Sequence, residues 1–357
     1  MNTKEKELFF ELCKFLDPNK KKIKKLIENG SATPELLGNL FANRVAGIAH
    51  GVLKKCDLLH MVDREFRTAL INTAIMNEKI VDDFRGCVNY LSTELEACGV
   101  PYALLKGAYL CHKFEKGYRT SNDIDILVAP EDVGKVSAIL KIAGFNQGEV
   151  KNGEFVAATR QQIIQSKMTR GETVPFIKPT KLPFVKFVEV DINFSLDYKN
   201  GDDDILKKML SRTQKVSFDN MQIRTLDNFD FVLHLCAHLY KEATTLPWIK
   251  MKRDMTFYKY CDIYMMLSPF SKEEYSVLVK RAKEYCLEKE LAYCLKSVSD
   301  FFGVSFELLN DAFGKIGNLD EVVSPEEKKI YYYSESNVIK RFFIKDRMKL
   351  LAEVQNE

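Results

Sequence analysis

The run Asp123-Ile124-Asp125-Ile126-Leu127-Val128 constrains this chain more than any other feature. Its period of two makes it a strand, with both aspartates on one face and Ile124, Ile126 and Val128 on the other. Two carboxylates side by side on a half-buried strand repel each other and lose hydration. A fold tolerates such a pair best when a divalent cation sits between them, and Mg²⁺ prefers one or two carboxylates plus substrate phosphates. Upstream, Leu104-Leu105-Lys106-Gly107-Ala108 places a Lys-Gly turn ahead of a short helix. Gly107 lets backbone N–H groups approach phosphate oxygens there, and Lys106 adds a positive charge.

A second acidic strand follows. Val188-Glu189-Val190-Asp191-Ile192-Asn193-Phe194 alternates strictly, with Glu189, Asp191 and Asn193 sharing one face. Paired beside the first strand, it offers Asp191 as a third carboxylate, with Glu189 as the competing choice. Three carboxylates around two metal ions make a phosphoryl-transfer site.

The rest of the chain frames these strands. Residues 1–98 read as helices, with Thr33-Pro34-Glu35 as one start and continuous stretches over 35–56 and 63–98. From residue 99 to 226 the pattern alternates. Strands are expected at 101–105, 123–128, 161–168, 184–196 and 216–225, with a hairpin turn at Lys151-Asn152-Gly153-Glu154. A helix from Pro130 to Ala143 ends at Gly144. From residue 227 to 357 the chain is helical again, beginning with an Asp227 cap and continuing over 251–267. The expectation is a three-part α+β protein: an N-terminal helical domain (1–98), a mixed-sheet core (99–226) and a C-terminal helical domain (227–357).

Composition narrows the function classes. A chain 46% hydrophobic and 29% charged is globular, and a formal net charge of +3 does not suit a general nucleic-acid coat. The nine cysteines form no C-x-x-C pair, which suits reduced, buried thiols in the cytoplasm. The N-terminal residues lack the apolar core of a signal peptide, and no apolar run is long enough to span a membrane. Lys20-Lys21-Lys22 with Lys24 and Lys25 reads as the solvated face of a helix.

Together, the Lys-Gly turn, the Asp-x-Asp strand and the later lone aspartate resemble the nucleotidyltransferase fold of the DNA polymerase β superfamily. They are most similar to a bacterial family of uncharacterised nucleotidyltransferases, which carries L-L-K-G-A, then S-D-(I/L)-D-(I/L)-L-V, then an acidic (I/L)-H-W strand. The resemblance extends upstream to Asn43-Arg44-Val45-Ala46-Gly47 and downstream to Leu233–His238 and Asp262. It implies a polymerase β-like core that moves a nucleoside monophosphate from an NTP to a hydroxyl or phosphate acceptor, with Mg²⁺ at a two-metal site. Asp123 and Asp125 would bind the metals. Asp191 would hold the catalytic one and help deprotonate the acceptor. Gly107, Lys106 and Ser121 would hold the triphosphate. Asn193-Phe194 stands where the family often has His-Trp, and Asn122 takes its usual Ser position.

Further positions are open between two readings. Arg119 is either a triphosphate contact or an ordinary ion pair. His234, His238 and Lys241 share a helical face; His238 and Lys241 either touch the nucleotide or belong to helix packing. The implied partners are an NTP and an unidentified acceptor: a small molecule, a peptide or protein hydroxyl, or a tRNA end, the last not favoured by the near-neutral charge. The cleft is expected between the core sheet and the C-terminal helices. The alternative is a catalytically inactive nucleotide-binding or interaction protein on the same fold.

Overall fold

In the computed structural model, residues 1–169, 171–196, 203–218, 221–306 and 318–353 are described. Helices α1 (Thr3–Glu11), α2 (Lys20–Glu28), α3 (Pro34–Ala42), α4 (Ala46–Lys55) and α5 (Arg64–Ala97) come first. Then follow β1 (Tyr102–Leu104), α6 (Gly107–Lys113), β2 (Asp123–Val128), α7 (Val133–Ile142), β3 (Asn146–Lys151), β4 (Glu154–Ala157) and α8 (Arg160–Thr169). The same stretch continues with β5 (Phe176–Pro179), β6 (Phe187–Asn193), α9 (Asp203–Ser211), β7 (Gln214–Phe218) and β8 (Met221–Thr225). The last stretch holds α10 (Asn228–Ala243), α11 (Leu246–Lys250), α12 (Tyr258–Leu267), α13 (Lys272–Glu284), α14 (Glu288–Phe302), β9 (Glu321–Ser324), β10 (Lys329–Tyr333), α15 (Val338–Phe342) and β11 (Leu351–Glu353).

The chain forms two compact units. One joins Met1–Leu70 to Val232–Glu357, and the other is Ile71–Phe231. In the first unit, aromatic rings tie the two ends of the chain together. Phe9 of α1 packs on Phe257 at 5.1 Å and on Phe342 of α15 at 5.4 Å, and Phe10 stacks on Phe301 of α14 at 5.5 Å. Local signals start the helices here. Asn2 and Glu5 close a capping box on α1, and Thr33 accepts the Leu36 N–H ahead of Pro34 in α3. Helix α2 buries Ile23, Leu26 and Ile27, and Lys20, Lys21, Lys24 and Lys25 are exposed as the charge pattern predicts.

The second unit is built on a six-stranded sheet in the order β1-β2-β6-β5-β3-β4. Strands β2 and β6 are parallel, and the other pairs are antiparallel. Ile124, Ile126, Val190 and Ile192 fill one face and are fully buried, which leaves the acidic face of both strands on the other side. The β3–β4 hairpin turns at Asn152 and Gly153, both with positive φ, as the Asn-Gly pair predicts. Mixed sheet and flanking helices make the protein α+β.

Five local expectations are corrected. The stretch 227–357 is not helical throughout, because β9, β10 and β11 form a three-stranded antiparallel sheet there. Residues 161–168 are helical, in α8. Thr159 and Gln162 cap each other reciprocally there, and that capping box outweighs the β-branched Ile163 and Ile164. The stretch 35–56 is two helices, because Arg44 takes a left-handed φ of 57° between α3 and α4. Residues 251–257 turn rather than continue a helix, with Lys252 also left-handed, so α12 starts at Tyr258. The single strand expected over 216–225 is instead the two strands β7 and β8.

Candidate active site

Strand β1 ends where Leu105 donates its N–H to the Asp125 carbonyl at 3.0 Å. The chain then turns sharply through Lys106, whose φ of 43° and ψ of −121° are strained for any residue with a side chain. Gly107 opens α6 against the loop before β2. A Cβ there would stand 2.1 Å from Ser121 Oγ and 2.3 Å from its Cβ, so only glycine fits. Ser121 is buried and donates from Oγ to Asp123 Oδ1 at 2.9 Å.

The parallel register of β2 and β6 pairs Asp123 with Glu189, Asp125 with Asp191 and Leu127 with Asn193. Directly paired residues on parallel strands share a face, so the acidic positions of the two strands converge. Asp125 is only 3% exposed. Its Oδ1 accepts from Lys106 Nζ at 2.8 Å and from Asn193 Nδ2 at 3.2 Å, and its buried Oδ2 has no hydrogen-bond partner.

This crowding shifts protonation. Burial pushes the Asp191 carboxyl well above the usual carboxylate range, and the charges of Asp125, Asp123, Glu172 and Glu189 push it further. Burial also raises Asp125, against the opposing pull of Lys106. Glu189 is raised by burial and by Asp123 and Asp125. Burial alone would lower the Lys106 ammonium, but Asp125, Asp123 and Asp191 together raise it. Carboxylates this close either share a proton or take up a cation.

The donor set suits a hard divalent ion: carboxylate oxygens from Asp123, Asp125 and Asp191, one of them buried and unpartnered. Among the described residues, no three His, Cys, Asp or Glu side chains already stand in ligand geometry. The cation at Asp125 is the Lys106 ammonium.

Lys106, Gly107, Ser121, Asp123, Asp125 and Asp191 are thus brought together around one sheet face. Arg119 is buried and donates from Nη1 to the Thr120 carbonyl. His238 and Lys241 lie on the part of α10 that belongs to the other unit. There His238 Nε2 is 3.3 Å from Glu242 Oε1, and the buried Glu242 also pairs with Lys259. Two site residues carry roles that sequence reasoning does not supply. Asn193 takes Asp125 from 68 residues away. Glu172 bridges to Asn193 and bears on Asp191, and no pattern in the sequence marks it.

Comparison with known proteins agrees with the sequence motifs. A family model described as uncharacterised nucleotidyltransferase matches residues 31–303. No curated protein matches the sequence. Among solved structures, an antigenic nucleotidyltransferase-like protein from Paracoccidioides brasiliensis is similar, at 13% identity and a TM-score of 0.36, over 66% of this chain and 98% of that one. The antibiotic-resistance factor ANT(2'')-Ia is similar at 11% identity and a TM-score of 0.30, over 57% of this chain and 96% of that one.

Proposed function

Because the chain belongs to the uncharacterised nucleotidyltransferase family, we propose that it moves a nucleoside monophosphate from an NTP to a hydroxyl or phosphate acceptor, dependent on Mg²⁺. The observation that carries this reading is the direct pairing of Asp125 with Asp191 across parallel strands. That pairing gathers more negative charge than one ammonium neutralises, and such an arrangement is stable where cations and polyphosphate are handled.

In this reading Asp123, Asp125 and Asp191 hold the metal, with Ser121 orienting Asp123 and Asn193 orienting Asp125. Bound Mg²⁺ supplies neutralisation of the triphosphate charge and lowers the pKa of the acceptor hydroxyl. The acceptor oxygen attacks the α-phosphorus, the bond to the β-phosphate breaks, and pyrophosphate leaves. Asp191 takes the acceptor proton, as a carboxylate within reach of the acceptor hydroxyl can. Gly107 and Lys106 face the triphosphate, with Arg119 as a further nucleotide contact. The net charge of +3 favours a small or peptide acceptor over tRNA. No described helix is long and apolar enough to cross a membrane, and all nine cysteines are free thiols, in keeping with a cytoplasmic site of action.

The test incubates the protein with each α-labelled NTP, Mg²⁺ and a cell extract, then identifies by mass spectrometry whatever gains a nucleotide mass. Asp123→Asn or Asp191→Asn should abolish the transfer, and so should chelation of Mg²⁺. Wild-type rates in Asp123→Asn would refute the reading. One observation favours a second reading, a nucleotide-binding protein without catalysis: Lys106 already neutralises Asp125. Calorimetry showing NTP binding with no pyrophosphate released would select it.

A further inference from the structure

We propose that Lys106 is a built-in counter-ion of the carboxylate cluster, displaced from Asp125 when a divalent cation is held there. This rests on the metal-site reading above.

Two independent observations carry it. The first is the division of labour within one carboxylate. Asp125 Oδ1 is taken by the Lys106 ammonium at 2.8 Å, and Oδ2 is buried without a partner. A cation binding through Asp125 therefore meets a competitor already in place. The second is the backbone. Lys106 sits at φ 43° and ψ −121°, a conformation that persists for a side-chain-bearing residue only where surrounding contacts hold it. The ion pair to Asp125 is one such contact.

The Lys106 side chain is 18% exposed and that of Asp125 only 4%, so part of the lysine stem meets water while the carboxylate does not. A compact charge on a flexible four-carbon stem moves between partners readily. Five carboxylates bear on this face, those of Asp123, Asp125, Glu172, Glu189 and Asp191. Exchanging one positive charge for two neutralises them better, and it frees Lys106 for an incoming phosphate. The design lets the protein fold without metal while keeping the metal weakly held until nucleotide arrives with it.

The experiment titrates Mg²⁺ alone, without nucleotide, into the full-length wild type, Lys106→Met and Lys106→Gln, by calorimetry and by thermal unfolding. Removing a unit charge a few ångströms from the cation should tighten Mg²⁺ binding about tenfold or more. In chelator, both variants should unfold at a lower temperature than the wild type, and Mg²⁺ should restore them by a larger shift than it gives the wild type. Equal Mg²⁺ affinity in all three proteins, with only NTP binding weakened, overturns the inference and leaves the proposed function standing. Absence of Mg²⁺ binding in every protein, with transfer proceeding in chelator, removes the metal-site reading as well. Variants that fail to fold even in millimolar Mg²⁺ also overturn it, because the cation then does not replace the ammonium.

Discussion

Asn193 Nδ2 donates to the same Asp125 Oδ1 that Lys106 holds, at 3.2 Å, and also reaches the Asp191 carbonyl at 3.4 Å. One amide thereby ties the Asp125 carboxylate of β2 to the β6 backbone at Asp191, the residue paired with Asp125 across the two strands. Asn193→Ala should lower the transfer rate about tenfold, the loss expected for one hydrogen bond to a charged group. KM for the NTP should change little, because the amide is engaged by Asp125 and the Asp191 carbonyl. Asn193→His, which restores the residue frequent at this position in the family motif, should recover most of the activity. Steady-state kinetics of the two variants decide the matter; an unchanged kcat in Asn193→Ala removes Asn193 from the site.

Gly107 makes a sharper prediction. Its missing side chain leaves room for Ser121, whose Oγ would otherwise stand 2.1 Å from a Cβ. Gly107→Ala must push Ser121 away, and Ser121 orients Asp123. A displacement of about 1 Å at a reacting centre costs on the order of 100-fold in rate. The variant should keep its far-ultraviolet circular dichroism but lose transfer by about that factor. Adding Ser121→Gly should relieve the clash and restore part of the activity. A double variant no better than Gly107→Ala alone would mean that the glycine serves something other than this contact.

What the sequence reveals here follows from range. The Asp-x-Asp strand and the alternating acidic strand are legible because a period of two assigns faces without any knowledge of neighbours. Their parallel pairing is only supposed in the sequence, and the register Asp125 to Asp191 emerges with the fold. The cap on α10 is legible, since Asp227 accepts the Asp230 N–H three residues on. Helix α8 runs against the strand expected at 161–168, and the local signal that marks its start is the reciprocal Thr159–Gln162 cap. Spacing sets His238 and Lys241 on one helical face, but the salt link of Glu242 to Lys259, 17 residues on, belongs to tertiary structure. Glu172 and Asn193 act through partners that no local rule connects to them.

Glu96 gives the pH prediction. It accepts from Arg224 Nε at 2.8 Å, from Lys215 Nζ at 2.8 Å and from Tyr102 OH at 3.0 Å, which fastens β7 and β8 to α5 and β1. The Arg224 hydrogen bond, opposed by partial burial and reinforced by Lys215 and Tyr102, holds its carboxyl down at about 2, against an ordinary value of 4.5. A depressed carboxylate stabilises the fold fully above its unfolded value and loses that stabilisation as pH falls toward the folded one. Glu96→Gln should therefore cost about 1 kcal/mol at neutral pH, a figure reduced for solvent screening at a partly exposed site. The gap between wild type and variant should narrow below pH 4.5 and close near pH 2. Urea unfolding of both proteins across that window measures it; a gap that stays constant with pH would place the effect in packing rather than charge.

The strongest stability prediction lies at Asp254 and Arg347. Both are buried, Asp254 completely, and the guanidinium meets the carboxylate through two hydrogen bonds of 2.5 Å. The remaining Arg347 Nη1 donates to the Ile344 carbonyl at 2.9 Å, so the charge is well satisfied. Removing one partner strands the other in a medium that solvates it poorly. Asp254→Asn should destabilise the protein by about 3–5 kcal/mol, and Arg347→Met by a similar amount. Replacing both, as Asp254→Leu with Arg347→Met, leaves no buried charge behind and should cost less than either single change. Guanidinium-chloride unfolding of the three variants completes the cycle. If the double variant costs the sum of the singles, the two residues act independently and the bidentate pair is not what holds this part of the first unit together.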